Sequence, residues 1–300
     1  MSSIRLARQD TQAPGTQAPV RRPRRRSRRS VLGRIGLGLA AALATVYTAF
    51  PFYWLVVSSF TSSSHLFSGS IWPKAWSAAS YTGLFSTTPI VGYFANSLIV
   101  AISVTVLTVV VSVLGSYSLA FLNYPFRDTL GRLILFTYMF PAVIIVVPSY
   151  DIMSRLGLIN NLGGVILIEL ILSVPFCVWM LRSFFLQIPK ELEEAAMMDG
   201  ASRLRALFRV LVPVARPGII AVSVFAFIFS WNEYLFPLVL VNQDADKTLP
   251  LAIAGFMGSL TINWPSLLAS GVVATVPILI LFIFLQRYLV AGLTSGAVKG

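Results

Sequence analysis

Long runs of apolar residues without charge constrain this chain more than any other feature of its sequence. The hydrocarbon core of a bilayer is about 30 Å thick and a helix rises about 1.5 Å per residue, so roughly 20 apolar residues cross it. Six such runs occur, approximately at residues 35–60, 93–121, 133–150, 162–181, 217–241 and 266–286. Only 11% of the 300 residues are charged. The sequence therefore predicts an all-α membrane protein with six transmembrane helices.

The uncharged stretch from Thr248 to Gln286 is too long for one crossing and contains turn residues. Asn263-Trp264-Pro265 interrupts it, and the proline has no N–H to donate within a helix. We expect residues 249–262 to form an outer loop or a partial re-entrant segment.

The residue counts exclude several kinds of chemistry. One cysteine, Cys177, and one histidine, His65, cannot form a disulfide, a structural zinc site or a histidine-activated nucleophile within the chain. None of the four lysines follows a glycine, as a phosphate-binding P-loop requires. We expect no metal site, no cofactor and no enzymatic activity in the chain itself.

Basic residues are concentrated at the N-terminus. Ten arginines precede the first apolar run, in a segment too polar to bury a core. Residues 1–32 are predicted to form a disordered, Arg-rich cytoplasmic arm that lies against anionic lipid headgroups. No aromatic residue is interleaved with these arginines, so nucleic-acid binding is the weaker interpretation.

The other basic residues indicate the orientation of the chain. With six spans, 20 of the 23 Lys and Arg residues fall on one side of the membrane, and only Lys74, Arg155 and Lys247 fall on the other. Basic residues favour the cytoplasmic side, so both termini are predicted to be cytoplasmic.

The loop at residues 187–216, between the fourth and fifth apolar runs, has a helical pattern of its own. Pro189 and an acidic first turn predict a helix start, and Gly200 predicts its end. A second helix is expected after Ser202, with one apolar face formed by Leu204, Leu207, Phe208 and Leu211. On this pattern alone, a helix pair at the lipid interface is the simpler interpretation.

The residues of this 187–216 loop resemble the E-A-A-x-x-x-G-x9-I-x-L-P signature of ABC-importer permeases. The matching residues are Glu194-Ala195-Ala196, Gly200 and Val210-Leu211-Val212-Pro213, with valine at two signature positions. Two further segments are similar to those of the carbohydrate-importing branch of these permeases, which is MalG-like and binding-protein-dependent. They are Trp231–Tyr234 with Pro237-Leu238, and Gly292–Gly300. The resemblance covers about residues 33–300.

The resemblance implies a type I importer (MetI-like) permease fold, with a transmembrane domain at 33–291 and a cytoplasmic tail at 292–300. It implies a protein of the bacterial inner membrane that pairs with a second related permease. Two ATPase subunits would bind ATP and Mg, and an extracytoplasmic binding protein would deliver a maltose- or trehalose-like sugar. The residues implied in ATPase docking are Glu191, Glu194, Ala195, Ala196, Asp199, Gly200, Leu204, Leu207 and Phe208, with Ser295, Gly296 and Lys299 of the tail.

Two carboxylates, Glu169 and Glu233, fall within predicted spans, where an ionisable group suggests function. Trp231, Asn232 and Glu233 are candidates for the substrate path, because they offer hydrogen bonds and a stacking face to a sugar. The alternative is that Glu233 bonds to neighbouring helices and holds the bundle together. We assign Glu169 a structural role.

Two other functions remain open from the sequence. The intramembrane carboxylates would also suit an ion-coupled secondary carrier, although a carrier needs no docking loop. An ABC importer for glycerol phosphate instead of a sugar is the second alternative.

Overall fold

The computed structural model describes residues 28–258 and 262–297, with side chains described at 33–258 and 262–285. Over these residues the chain is helical, apart from turns and one isolated β-bridge between Thr61 and Trp76. The predicted all-α class is therefore confirmed. Residues 1–27 of the predicted arm lie outside the described residues, whereas residues 28–32 belong to the first helix.

The described helices include those of the apolar runs and several shorter ones between them. They are α1 (Arg28–Ser59), α2 (Ala79–Thr87), α3 (Ile90–Phe121), α4 (Arg127–Tyr138), α5 (Ala142–Arg155), α6 (Leu162–Phe185), α7 (Glu191–Met198), α8 (Arg203–Ala206), α9 (Val212–Val214), α10 (Arg216–Trp231), α11 (Leu235–Leu240), α12 (Leu249–Gly255) and α13 (Trp264–Ala297). A π-helical turn, Leu207–Leu211, joins α8 to α9.

Four helical segments in the described part of the chain are long and apolar enough to cross a membrane. They are Gly33–Ser59, Ile90–Phe121, Leu162–Phe185 and Trp264–Leu285. Counting each of two bent helix pairs as one span brings the number to six. Four predicted spans therefore correspond to single helices, and the other two need closer description.

The third predicted span, 133–150, is not one continuous helix. It is divided between α4 and α5, which meet at an angle of 94°. The break occurs just before Pro141, because the proline ring disfavours helical backbone at the preceding residue, Phe140. The sequence located the proline, but the size of the bend depends on packing that hydropathy does not report.

The fifth predicted span, 217–241, is also interrupted. Helix α10 ends at Trp231, and α11 begins only at Leu235. At its other end, α10 meets the preceding segment, Arg203–Val214, at 82°. The helical part of the 187–216 loop thus turns sharply into α10.

The segment predicted as an outer or re-entrant loop at 249–262 contains the short helix α12. Its Leu249 is fully buried, and the Leu249 N–H donates to the Ser97 hydroxyl of α3 at 2.7 Å. This segment is therefore anchored to α3 at its start.

The described chain divides into two units after Pro51. In the first unit, the described side chains from Gly33 to Pro51 are exposed. In the second, α3 packs along both α6 and α10. Part of the core of the second unit joins α3, α6 and α10 to the 187–216 loop. Its buried residues include Tyr117, Phe121, Leu181, Phe185, Leu207, Leu211, Val222 and Ala226.

Candidate functional site

The 187–216 loop forms the predicted pair of helices around a glycine. Gly200 adopts φ +86°, a left-handed conformation that glycine takes without steric cost. The N–H of Ala201 donates to the Ala196 carbonyl and that of Gly200 to the Met197 carbonyl, both at 3.0 Å. This is the Schellman arrangement that ends a helix. Ser202 then begins α8 by accepting a hydrogen bond from the Arg205 N–H at 3.4 Å.

Most of the predicted docking residues are exposed on this loop. Acidic side chains project from α7 and its end, and large apolar side chains accompany them: Met198 is 88% exposed, Leu204 59% and Phe208 53%. Ala196 is half-buried. The exposed docking candidates are Glu191, Glu194, Ala195, Asp199, Gly200, Leu204 and Phe208.

Leu207 corrects the predicted apolar face. Its side chain is fully buried and packs in the core beside Leu211 and Tyr117, so it cannot contact a partner. The four residues predicted to share one apolar face are therefore of two kinds. Leu204 and Phe208 are exposed, whereas Leu207 and Leu211 are buried. The π-helical turn at Leu207–Leu211 changes the winding where the two pairs separate.

Glu193 is a site residue that the sequence analysis missed. It is the buried residue of α7, with 7% exposure, and its Oε1 accepts a hydrogen bond from the Tyr117 hydroxyl of α3. Helical spacing offers a signal: Glu191 and Glu194 lie on one side of a helix, and Glu193 lies roughly 160° from Glu191. Helix α7 thus directs two carboxylates outward and one inward.

Trp231 lies almost entirely in the core, although it also borders an open cavity between α10, α12 and α13. Its side chain is only 2% exposed, stacked on Phe227 at 5.8 Å and edge-to-face with Phe94 at 5.4 Å. Its indole N–H donates to the Ala274 carbonyl at 3.0 Å. Trp231 therefore joins α10 to α3 and α13.

Asn232 and Glu233 occupy the interruption between α10 and α11. The Glu233 Oε1 accepts the backbone N–H groups of Leu235 at 2.8 Å and Phe236 at 3.2 Å. It therefore caps α11, a role that neither sequence interpretation contained. The Asn232 amide is exposed and donates to the Ile228 carbonyl at 2.7 Å.

An open cavity of about 580 Å³ lies beside this interruption, between the end of α10, α12 and α13. Asn232, Tyr234 and Thr275 bring polar groups to a mostly apolar lining. Tyr234 is 38% exposed and was not selected from the sequence, although it follows Glu233 directly. The cavity lining thus includes an aromatic ring and hydrogen-bonding groups.

Glu169 links two helices inside the bundle. It is 1% exposed, and its Oε2 accepts a hydrogen bond from the Ser230 hydroxyl of α10. Its Oε1 has no hydrogen-bond partner among the described residues. This geometry fits the structural role expected for Glu169.

The loop at 242–248 is fixed to the beginning of α3. Asp244 accepts hydrogen bonds from the Tyr93 hydroxyl at 2.7 Å and from the Lys247 ammonium at 2.8 Å. These bonds, first that of Lys247 and then that of Tyr93, lower the pKa of the exposed Asp244 carboxyl. Asn96 holds the same loop through the Ala245 carbonyl at 2.8 Å.

The tail residues are described only in part. Ser295 and Gly296 belong to the end of α13, and Lys299 lies outside the described residues. Within the searched part of the chain, no group of three His, Cys, Asp or Glu side chains is placed to hold a metal ion.

The sequence and fold together define a membrane permease subunit. Residues 112–295 match the family described as "Binding-protein-dependent transport system inner membrane component". The chain belongs to this family, which confirms the resemblance seen in the 187–216 loop. It is an inner-membrane transport subunit of an ABC importer and is not itself catalytic.

Curated relatives match over nearly their whole length. The chain is 34% identical to the inner membrane ABC transporter permease protein YcjP of Escherichia coli over 90% of this chain and 98% of the relative. It is 39% identical to the sulfoquinovosyl glycerol permease SmoH of Agrobacterium fabrum over 87% and 93%. The trehalose/maltose permease MalG of Thermococcus litoralis is 33% identical over 91% and 99%.

A solved structure supports the fold. A chain of a bacterial ABC transporter for alginate import matches with a TM-score of 0.74 and 23% identity, covering 87% of this chain and 98% of that one. The type I importer permease fold is therefore confirmed.

Proposed function

We propose that this chain is one of two related permeases that form the translocation path of an ABC importer for a di- or oligosaccharide. Its 187–216 loop docks on separate ATPase subunits, which bind ATP and Mg. An extracytoplasmic binding protein delivers the sugar. The observation that carries this proposal is a rigid two-helix loop that exposes acidic and large apolar side chains beside each other.

The exposed loop residues have the composition of a docking surface. Leu204 and Phe208 are more than half exposed although a soluble surface rarely places large apolar groups together. Glu191, Glu194 and Asp199 add carboxylates at their margin, and exposed charges at a rim favour one orientation of the partner. At Gly200, no atom lies within 4 Å of the position that a Cβ would occupy, so another backbone can approach closely.

The open cavity supports a path shared with a second permease. Its described walls come from α10, α12 and α13, and its open side leaves room for a second wall. Several exposed apolar residues of α3, including Ile99 and Val106, provide surface for lipid or for the second permease.

The cavity lining also favours a sugar over glycerol phosphate. Asn232, Tyr234 and Thr275 suit hydroxyl groups and a sugar ring, and the described lining includes no lysine or arginine to bind a phosphate. The names of the relatives from Agrobacterium and Thermococcus, given above, agree with a carbohydrate substrate.

The two intramembrane carboxylates give little support to ion-coupled transport. Glu169 is enclosed and bonded to Ser230, and Glu233 caps α11. Neither lines the cavity. ATP-driven transport through the docking loop therefore accounts for more of the observed geometry.

The test uses the complex purified from its native membrane and reconstituted in liposomes, with radiolabelled trehalose and maltose as probes. Gly200→Asp and Glu194→Lys should abolish ATP-driven uptake while membrane insertion stays normal. Asp151→Lys reverses an exposed charge far from the loop and should leave uptake unchanged. Undiminished uptake in both loop variants, or uptake by the chain alone driven by an ion gradient, would refute the proposal.

A further inference from the structure

One carboxylate of the 187–216 loop is separated from its neighbours by burial. Helix α7 carries Glu191, Glu193 and Glu194, and only Glu193 is buried. A carboxylate leaves water only where a partner satisfies it, and here the Tyr117 hydroxyl donates to its Oε1. The bond joins two residues that are 76 positions apart in the sequence.

Tyr117 belongs to a buried aromatic layer beneath the loop. Its ring stacks on Phe121 at 5.7 Å, and Phe121 meets Phe185, the last residue of α6, edge-to-face at 6.1 Å. Tyr117 itself is 5% exposed. The hydroxyl is therefore held in place from below by rings of α3 and α6.

The second helix of the loop also interacts with Tyr117. Arg203, which opens α8 beyond the Gly200 turn, has an electrostatic interaction with this tyrosine. Both helices of the loop are thus linked to one residue of α3. A hydrogen bond to a buried carboxylate is directional, so it fixes the position of α7 relative to α3.

We propose that Glu193 is a positioning residue that transmits displacement of the docking loop to α3 through the Tyr117 hydroxyl. This inference rests on the proposed function, because the displacement comes from the ATPase subunits. Helix α3 packs along α6 and α10, and α10 ends at the open cavity. Movement of α7 is therefore carried into the helices that form the path, as one body.

The test compares variants that differ by few atoms in the reconstituted complex. Tyr117→Phe removes only the hydroxyl, Glu193→Ala removes the acceptor, and Glu193→Gln keeps an oxygen that can accept the bond. Tyr150→Phe, at a tyrosine that is 42% exposed on α5, is the matched control. Three quantities are measured for each: ATPase subunits retained on purification, ATP hydrolysed, and trehalose or maltose transported per ATP.

We expect Tyr117→Phe and Glu193→Ala to retain the ATPase subunits and hydrolyse ATP, while sugar transported per ATP falls about tenfold, the factor expected for one hydrogen bond to a charged group. Glu193→Gln should recover most of the lost coupling, and Tyr150→Phe should match the native complex.

Two results would overturn the inference. Native transport per ATP in Tyr117→Phe would show that the bond carries no displacement. Equal loss of ATPase retention and transport in both variants would assign the bond to folding alone. If the native complex itself retains no ATPase subunit, the proposed function fails instead, so the two failures are distinguishable.

Discussion

Helix α3 is tied to a loop near each of its ends by a tyrosine that donates to a carboxylate. Near its start, Tyr93 bonds to Asp244 of the 242–248 loop, and near its end Tyr117 bonds to Glu193 of the 187–216 loop. The chemistry is the same, but the surroundings differ. Asp244 is exposed and also bound by Lys247, whereas Glu193 is buried on the inward side of its helix.

The comparison shows how burial changes the role of the same bond. Tyr93 is only 4% exposed, but water and dissolved ions reach its acceptor, Asp244, so this bond adds less stability and acts beside the Asn96 contacts to place a loop. When a buried hydrogen bond breaks, its donor and acceptor are left without partners, so breaking the Tyr117–Glu193 bond costs more free energy. The predicted cytoplasmic end therefore has the stronger connection to its loop.

The largest loss of stability is expected when a glycine that lies close to other atoms is replaced by alanine. Gly164, near the start of α6, and Gly218, near the start of α10, are two such glycines. A Cβ at Gly164, near the start of α6, would lie 2.3 Å from the Leu158 carbonyl oxygen. The Leu158 carbonyl belongs to the backbone and cannot easily move away, so Gly164→Ala should destabilise the protein by roughly 3 kcal/mol. The measurement is the unfolding midpoint in mixed detergent micelles.

The corresponding glycine at the other end gives a smaller expected loss. A Cβ at Gly218 would lie 2.5 Å from the Phe184 ring, and a side chain can shift where a carbonyl cannot. Gly92→Ala, where no atom lies within 4 Å, is the control and should not destabilise the protein. A native unfolding midpoint in Gly164→Ala would contradict the close approach.

The two tyrosine–carboxylate bonds can be compared directly by removing each acceptor. Glu193→Ala should cost about 2 kcal/mol of unfolding free energy, because it leaves the buried Tyr117 hydroxyl without its partner. Asp244→Ala should cost less, about 0.5 kcal/mol, because Asp244 is exposed and water can replace it as the partner of the Tyr93 hydroxyl. The same micelle unfolding assay measures both. Equal losses would show that burial does not distinguish the two ends.

The spans and the docking loop could be predicted because they depend on local pattern. Apolar runs located α1, α3, α6 and α13, and Pro189, Gly200 and Ser202 located the loop helices. These signals act over a few residues, where periodicity and backbone preference decide the structure.

The remaining features depend on residues far apart in the sequence. Tyr117 and Glu193 are 76 positions apart, and Trp231 is covered by Phe94 of α3 and bonded to Ala274 of α13. No local pattern reports that the indole of Trp231 is enclosed by residues of other helices. Leu207 likewise has the spacing of an exposed stripe, and only the packing against α3 and α6 shows that it faces inward.

Gly200 gives a more moderate test of the 187–216 loop. Its φ of +86° is unfavourable for any residue with a Cβ, although the space around it is open. Gly200→Ala should therefore cost about 1 kcal/mol through backbone strain alone. Gly83→Ala, in helix α2 with equally open space, is the control in the unfolding assay. No difference between the two variants would contradict the strain.

The smallest effect is expected from protonation of Asp244 at the exposed end. Lys247 and Tyr93 hold the pKa of this carboxyl below its ordinary value of 3.8, so the folded state favours the charged form. The stabilisation is present above pH 3.8 and is lost as the pH falls through the lower folded value. When the pH is lowered from 5 to 3, the unfolding free energy of the Asp244→Asn variant should therefore fall slightly less than that of the native chain. The difference should shrink in 1 M salt, which screens an exposed pair. A steeper pH dependence in Asp244→Asn would reverse the sign and contradict the assignment.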